Sequence, residues 1–268
     1  MIVVQVDGNI GSGKSTFMNS IKDIINDNNN NNSSKLVSID NNNNNHNIEY
    51  YYYYYNNNSN NNNNNTITNN DNNINVKKIK IALINEPISD WTNNNNLFHL
   101  YYDNQKEYAE LFQLNAFLTI LNNCLKKIKD QDTDIVFMER SLFTCVYCFN
   151  QLLLNYGLIR NVFYEVLVNN YNLLKDKILQ PDMIIYFKAD NKDISLLAER
   201  IQKRQRKGEV NISLDYLSKL NSIYNKLMDE EKEYKDIEKY DIPVNIPLNE
   251  QQTLFNPIIH KILDIACI

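Results

Sequence analysis

The sequence predicts an α/β fold, a parallel sheet of about five strands with helices on both faces. Three observations predict it. Short apolar runs alternate with helical stretches along the chain, the order that builds parallel sheets through right-handed crossovers. A glycine-rich turn, Gly8 to Thr16, joins the first apolar run to the first helix. Polar residues then stand at the C-terminal ends of the later strands, where such sheets bind their ligands.

The first strand holds Ile2, Val3, Val4 and Val6. It runs into Gly8-Asn9-Ile10-Gly11-Ser12-Gly13-Lys14-Ser15-Thr16, which fits the phosphate-binding pattern G-x-x-x-x-G-K-[ST] in full, with a strand before it and a helix after. Three of the chain's five glycines sit here. They let backbone N–H groups converge into an anion-binding nest at a helix N-terminus. In that arrangement Lys14 reaches the terminal phosphates of a nucleotide and Ser15 holds magnesium.

Residues 15–27 read as a helix with Phe17, Ile21, Ile24 and Ile25 on one face. Residues 28–75 are mostly Asn with a Tyr run at 50–55. They lack the apolar periodicity that offsets chain entropy, so a disordered insertion is expected in a single domain spanning 1–268. The island 35–40 is a candidate short strand within it, and self-association is the functional alternative for the tract. Order resumes with a strand at 79–84 that delivers Asn85-Glu86-Pro87. Helices follow at 97–103 and 107–129, where Leu111, Leu114, Leu118, Leu121 and Leu125 recur at three- and four-residue steps. A strand at 134–138 ends in Glu139-Arg140-Ser141. Helices at about 142–155 and 160–178, a strand at 183–187, helices at 193–207 and 213–236, a strand at 242–248 and a helix at 250–265 complete the series.

Composition narrows the function classes. With 27 basic against 32 acidic residues the net charge is −5, which argues against a general nucleic-acid binder. No apolar run reaches about 18 residues, so no membrane helix is expected. Met1 is followed almost at once by a strand, which reads as a cytoplasmic chain without a signal or transit peptide. Four cysteines (Cys124, Cys145, Cys148, Cys267) are expected as reduced thiols in core or pocket lining. Cys145-x-x-Cys148 has no second Cys/His pair of matching spacing, so no structural metal is assigned.

Several residue types point to chemistry. Glu86, directly after a strand and fixed by Pro87, suits a general base acting on an attacking hydroxyl; a helix cap or solvated Glu is the alternative. Glu139 closes an apolar strand, the place for a second magnesium-shell carboxylate, and Arg140 beside it holds Glu86 or contacts the reacting oxygen. An ordinary ion pair is the alternative there. Arg200, Lys203, Arg204, Arg206 and Lys207 form a basic cluster ending at Gly208-Glu209. It reads equally as a phosphate-covering lid or as a solvated face. Trp91, Phe112 and Phe149 with Gln113 make a kit for stacking a planar heterocycle and reading its edge, although each aromatic taken singly is more often core.

Taken together these motifs resemble the deoxyribonucleoside kinases, the group that includes the deoxycytidine, deoxyguanosine, mitochondrial thymidine and insect multisubstrate kinases. The stretches that carry the resemblance are Gly8 to Thr16, Glu86-Pro87-Ile88 with Trp91, Leu100-Tyr101-Tyr102-Asp103, Phe112-Gln113, Glu139-Arg140-Ser141, Pro181 to Phe187, and Arg200 through Glu209 to Leu217. It implies a P-loop kinase fold with an Arg-rich lid and transfer of phosphate from ATP, with Mg2+, to a deoxyribonucleoside 5′-hydroxyl. It further implies Glu86 as base with Arg140 beside it, Glu139 and Ser15 for magnesium, Tyr101 and Glu209 on the sugar 3′-hydroxyl, and Gln113 on the base. Phe112, Phe149 and Trp91 become pocket walls; Arg200, Arg204 and Arg206 become lid arginines. A homodimer is implied as well.

Departures from the family pattern bear on specificity. Ile120 and Cys145 stand where an arginine and an aspartate line the pocket of purine-accepting and deoxycytidine-specific members, which leans toward pyrimidine deoxynucleosides. Small Ala116 leaves room for a purine, the alternative. Val146 replaces an arginine, and one extra residue lies between Asp103 and Gln113. A nucleoside monophosphate kinase on the same kind of scaffold is the less favoured alternative; its phosphate acceptor needs extra arginines in the acceptor pocket and has less need of a carboxylate base. A guanine switch carries Asn-Lys-x-Asp, whereas Asn191-Lys192-Asp193 is followed by Ile194.

Overall fold

A computed structural model describes residues 1–31, 47–56, 76–93, 96–130, 132–206, 208–230, 234 and 236–267. Six strands form its sheet: β1 (Ile2–Gly8), β2 (Ile48–Asn56), β3 (Val76–Ile84), β4 (Ile135–Glu139), β5 (Met183–Lys188) and β6 (Glu238–Pro243). They lie in the order β2-β3-β4-β1-β5-β6. All neighbours are parallel except β2 and β3, which are antiparallel. The central strands are apolar throughout because helices cover both faces of a parallel sheet; Val4, Val6, Ile135, Val136, Ile184 and Ile185 are fully buried.

The helices are α1 (Lys14–Asn31), α2 (Ile88–Asn93), α3 (Leu97–Asp103), α4 (Gln105–Lys129), α5 (Leu142–Thr144), α6 (Gln151–Asn155), α7 (Asn161–Leu174), α8 (Ile194–Arg204), α9 (Leu214–Glu230) and α10 (Leu248–Cys267), with a π-helical segment at Cys145–Asn150. Helix α1 packs on α10 through Phe17 and Phe255, ring centroids 5.1 Å apart. On the other side α4, α6, α7 and α9 gather around the π segment. Register brings the strand ends level: Val6 pairs with Glu139, and Ile84 with Met138. Residues just past the ends of β1, β3 and β4 therefore meet above the sheet.

The structure corrects the reading of the chain at several places. Part of the 28–75 tract is ordered: α1 continues to Asn31, and the Tyr run lies in β2, paired with β3 along its whole length. This supplies the strand beyond the expected five. Tyrosine is a strong β-former. Tyr50 and Tyr53 are buried, and Lys78 Nζ sits 3.8 Å from the Tyr52 ring centroid. Residues 32–46, which include the island at 35–40, and 57–75 lie outside the described residues. The leucine stripe of α4 is not its core face: Leu111, Leu114, Leu118 and Leu125 are exposed, while Ala109, Phe112, Gln113, Ala116, Phe117 and Ile120 are buried. The last strand comes earlier than expected, at 238–243, because only Ile242 of this edge strand is buried and its pattern is mostly polar.

Candidate active site

The loop between β1 and α1 is held so close to its neighbours that side chains do not fit. Gly8 and Gly11 have φ of +145° and +77°, and a Cβ on them would lie 2.8 Å from the carbonyl oxygens of Phe187 and Leu197 respectively. Asn9 Nδ2 donates to Leu217 O at 2.9 Å, and Arg200 Nη1 donates to Ser12 O at 3.4 Å. Lys14 Nζ turns back on the loop, donating to Asn9 O at 2.8 Å and Gly8 O at 3.1 Å. Burial first, then the Arg140 charge, pushes Lys14 down from its ordinary 10.5 to about 8. A polyanion in the loop supplies the charge that this site lacks.

Across the loop stands an ion-pair network. Arg140 Nε donates to Glu86 Oε1 at 2.9 Å, and its Nη1 donates to Gly8 O at 2.8 Å and to the Tyr224 hydroxyl at 2.7 Å. The guanidinium also lies over Phe149, 4.7 Å from the ring centroid. Arg140 adopts φ of +73°, a conformation that side chains rarely take and that is typical of functional positions. Beneath it, buried Asp7 accepts from Gly8 N at 2.8 Å, the Tyr224 hydroxyl at 2.9 Å and Thr144 Oγ1 at 2.6 Å. Burial pushes the Glu86 carboxyl up, but Arg140, Lys14 and Arg206 together outweigh it, so the group sits below its ordinary range and is ionised at neutral pH. Glu139 behaves oppositely: burial, then the Glu86 charge, raises it. Its Oε1 accepts from Ser15 Oγ at 3.0 Å.

The far end of the cleft is aromatic. Tyr101 stacks on Phe112 with centroids 4.5 Å apart, and Trp91 meets the Phe112 edge at 5.5 Å while its Nε1 donates to Thr119. Buried Gln113 projects from α4 beside Ala116 and Ile120; Cys145 faces them, its thiol pushed up to about 12 by burial and therefore neutral. Over the site, α8 ends at Gln205 in the left-handed region. Arg204 Nη2 and Arg206 Nη1 both donate to the buried Glu209 carboxylate. Lys207 lies outside the described residues.

These groups line one cleft of about 560 Å³, a size suited to small-molecule substrates. From the loop it contains Ile10 to Thr16, with Gly8 and Asn9 shaping the turn from behind. Glu86, Trp91, Tyr101, Phe112, Gln113, Ala116, Ile120, Glu139, Arg140, Cys145, Phe149, Arg200, Arg204, Arg206 and Glu209 all face it. The sequence alone assigns no role to Asp7, Tyr102, Asn150, Tyr216 or Tyr224. Tyr101 hydrogen bonds with Tyr216, and burial first, then Tyr216, Glu209 and Glu86, raises the Tyr102 hydroxyl. Asn245, Ile246, Pro247 and Gln251 also line the cleft.

A phosphate-binding loop at a parallel strand end, a carboxylate paired to an arginine across from it, and a basic helix over both define a P-loop kinase. The family model for deoxynucleoside kinases matches residues 72–265. The chain belongs to that family and is a deoxynucleoside kinase, an enzyme that phosphorylates a nucleoside with ATP as donor. It is similar to putative kinase protein 143R of Invertebrate iridescent virus 6, 33% identical over 150 residues that cover 56% of this chain and 70% of the relative. It is also similar to deoxycytidine kinase 2 of Gallus gallus, 28% identical over 52% of this chain and 60% of that one. Deoxyguanosine kinase of Bacillus subtilis is 29% identical over 55% and 66%. No described helix is long and apolar enough to cross a membrane.

Proposed function

We propose that this enzyme transfers the γ-phosphoryl group of ATP to the 5′-hydroxyl of a deoxyribonucleoside, with pyrimidine deoxynucleosides preferred. The 5′-oxygen attacks the γ-phosphorus, its proton passes to Glu86, and ADP leaves. The observation that carries this reading is the Glu86–Arg140 pair, 2.9 Å apart, standing between the phosphate loop and the Phe112–Gln113 end of a single cleft. An ionised carboxylate there orients the hydroxyl and takes its proton late, as the loose transition state of phosphoryl transfer allows.

Ser15 and Glu139 offer hard oxygens 3.0 Å apart beside the loop, a donor set that fits Mg2+. Bound there with ATP, the ion neutralises phosphate charge. Lys14 and Arg200, Arg204 and Arg206 supply the remaining positive charge from loop and lid. Tyr101 and Glu209, both lining the cleft, take the sugar 3′-hydroxyl. Phe112, Trp91 and Phe149 enclose the base and Gln113 reads its edge. Asn245, Ile246, Pro247 and Gln251 cover the donor base. Apolar Ile120 and neutral Cys145 favour a pyrimidine. Buried Ala116, small at the cleft wall, favours a second reading in which purine deoxynucleosides are accepted. The exposed leucine face of α4 supports a homodimer.

The test is kcat/KM for the four deoxyribonucleosides with ATP and magnesium, in the native enzyme and in Glu86→Gln. We expect kcat to fall by about 10²- to 10⁴-fold in the variant while nucleotide affinity is kept. Full turnover by Glu86→Gln would sink the base assignment.

A further inference from the structure

We propose that Asn150 fixes the hydrogen-bonding polarity of Gln113, so that the enzyme discriminates nucleobases by the keto or amino character of the edge they present. This rests on the nucleoside kinase reading above and adds a positioning residue to it.

The two ends of a side-chain amide are nearly alike in shape but opposite in chemistry, one accepting and one donating. Thymine and guanine present a ring N–H beside an exocyclic carbonyl, whereas cytosine and adenine present a ring acceptor beside an exocyclic amino group. The two patterns are mutual inversions. A glutamine free to turn over reads both, and one held in a single orientation reads one.

Gln113 is held. Its Oε1 accepts from Asn150 Nδ2 at 3.1 Å. Asn150, the last residue of the π segment, is fully buried and is itself fixed by a second bond, Nδ2 to Cys145 O at 2.9 Å. Both its N–H groups are thereby used, one on each oxygen. Turning Asn150 over sets its Oδ1 against those two acceptors, and turning Gln113 over sets one NH2 against another. The orientation of both amides follows from the backbone carbonyl of Cys145. Gln113 Nε2 has no hydrogen bond among the described residues, and Gln113 lines the cleft, so this end is left to the ligand. Asn150 does not line the cleft; it acts through Gln113. Its Oδ1 is buried without a partner among the described residues, a cost that an apolar residue here avoids and that marks an amide kept for its N–H end.

Two size-matched comparisons test this: kcat/KM for thymidine against deoxycytidine, and for deoxyguanosine against deoxyadenosine. The native enzyme is expected to favour the same edge class in both pairs. Asn150→Ala and Asn150→Ser, checked for folding by thermal melting, are expected to bring both ratios toward one by about fivefold or more. Unchanged ratios in a folded, active variant overturn the proposal, as does a shift between pyrimidines and purines, which reports packing instead. If neither variant folds, the native ratios still decide: opposite edge preferences in the two pairs, or none in either, overturn it. Turnover of none of the four nucleosides defeats the kinase reading itself, a distinct result.

Discussion

Asp7 joins the phosphate loop to the arginine that holds Glu86. It is buried with no exposure, and its two oxygens accept from the loop backbone, Tyr224, Thr144 and Gln5. Tyr224 bridges the two halves, donating to Asp7 and accepting from Arg140 Nη1 at 2.7 Å. Tyr224→Phe keeps the ring and removes both bonds. Arg140 then loses one of its anchors while keeping Glu86 and Gly8 O, so we expect kcat to fall by about tenfold with KM for ATP within about twofold. Unchanged kcat in a folded Tyr224→Phe enzyme would make Tyr224 structural only. Such residues explain what the sequence hides. Lys14, Glu86, Glu139 and Gln113 are legible because each belongs to a motif or follows a strand whose end must face the ligand. Tyr224 and Asn150 acquire meaning only through a partner far away in the chain, 84 residues for Tyr224 and Arg140 and 37 for Asn150 and Gln113. Asp7 did leave a signal: an acid in an otherwise buried strand requires partners.

At the scale of elements, the β2–β3 hairpin decides how the Asn-rich tract relates to the sheet. Glu49 at its start accepts from Lys22 of α1 at 2.8 Å and from Asn85 at 2.7 Å. Those partners, with burial opposing them, hold the Glu49 carboxyl below its usual range. Tyr53 pairs with Ile79 and is buried. Tyr53→Ala is therefore expected to cost about 3 kcal/mol, or roughly 6 to 12 °C in Tm, with kcat unchanged below the transition. A Tm within a degree of the native value would mean that β2 does not belong to the folded sheet. Composition concealed this strand, because six consecutive tyrosines show no alternation even though a pleated strand sends successive residues to opposite faces. The leucines of α4 misled in the opposite way. A helix apolar on two faces gives periodicity without saying which face meets the core, and the aromatic and small residues won it. The parallel core was legible throughout, since strands buried on both faces must read as continuous apolar runs.

For the whole molecule, the unclaimed leucine face has a consequence that reaches the active site. Leu111, Leu114, Leu118, Leu125 and Ile128 of α4 and Val162, Val166 and Leu173 of α7 are 36% to 73% exposed. Glu110 of α4 clasps Arg160 at the start of α7, Nε to Oε1 at 2.9 Å, so the two faces adjoin. A surface of this kind, contributed by two helices, suits an isologous two-fold interface. The opposite face of α4 carries Phe112 and Gln113, which line the cleft. A pairing of two subunits through α4 would bear directly on the helix that carries Gln113. Leu118→Glu puts a charge in the middle of this face and is expected to weaken a dimer formed through it by about 100-fold or more, read by sedimentation velocity. In the resulting monomer KM for the nucleoside should rise several-fold while KM for ATP, set by the loop and lid, stays within about twofold. A native enzyme that sediments as a monomer would remove the interface; a Leu118→Glu monomer with unchanged nucleoside KM would keep the interface and remove its coupling to the base pocket.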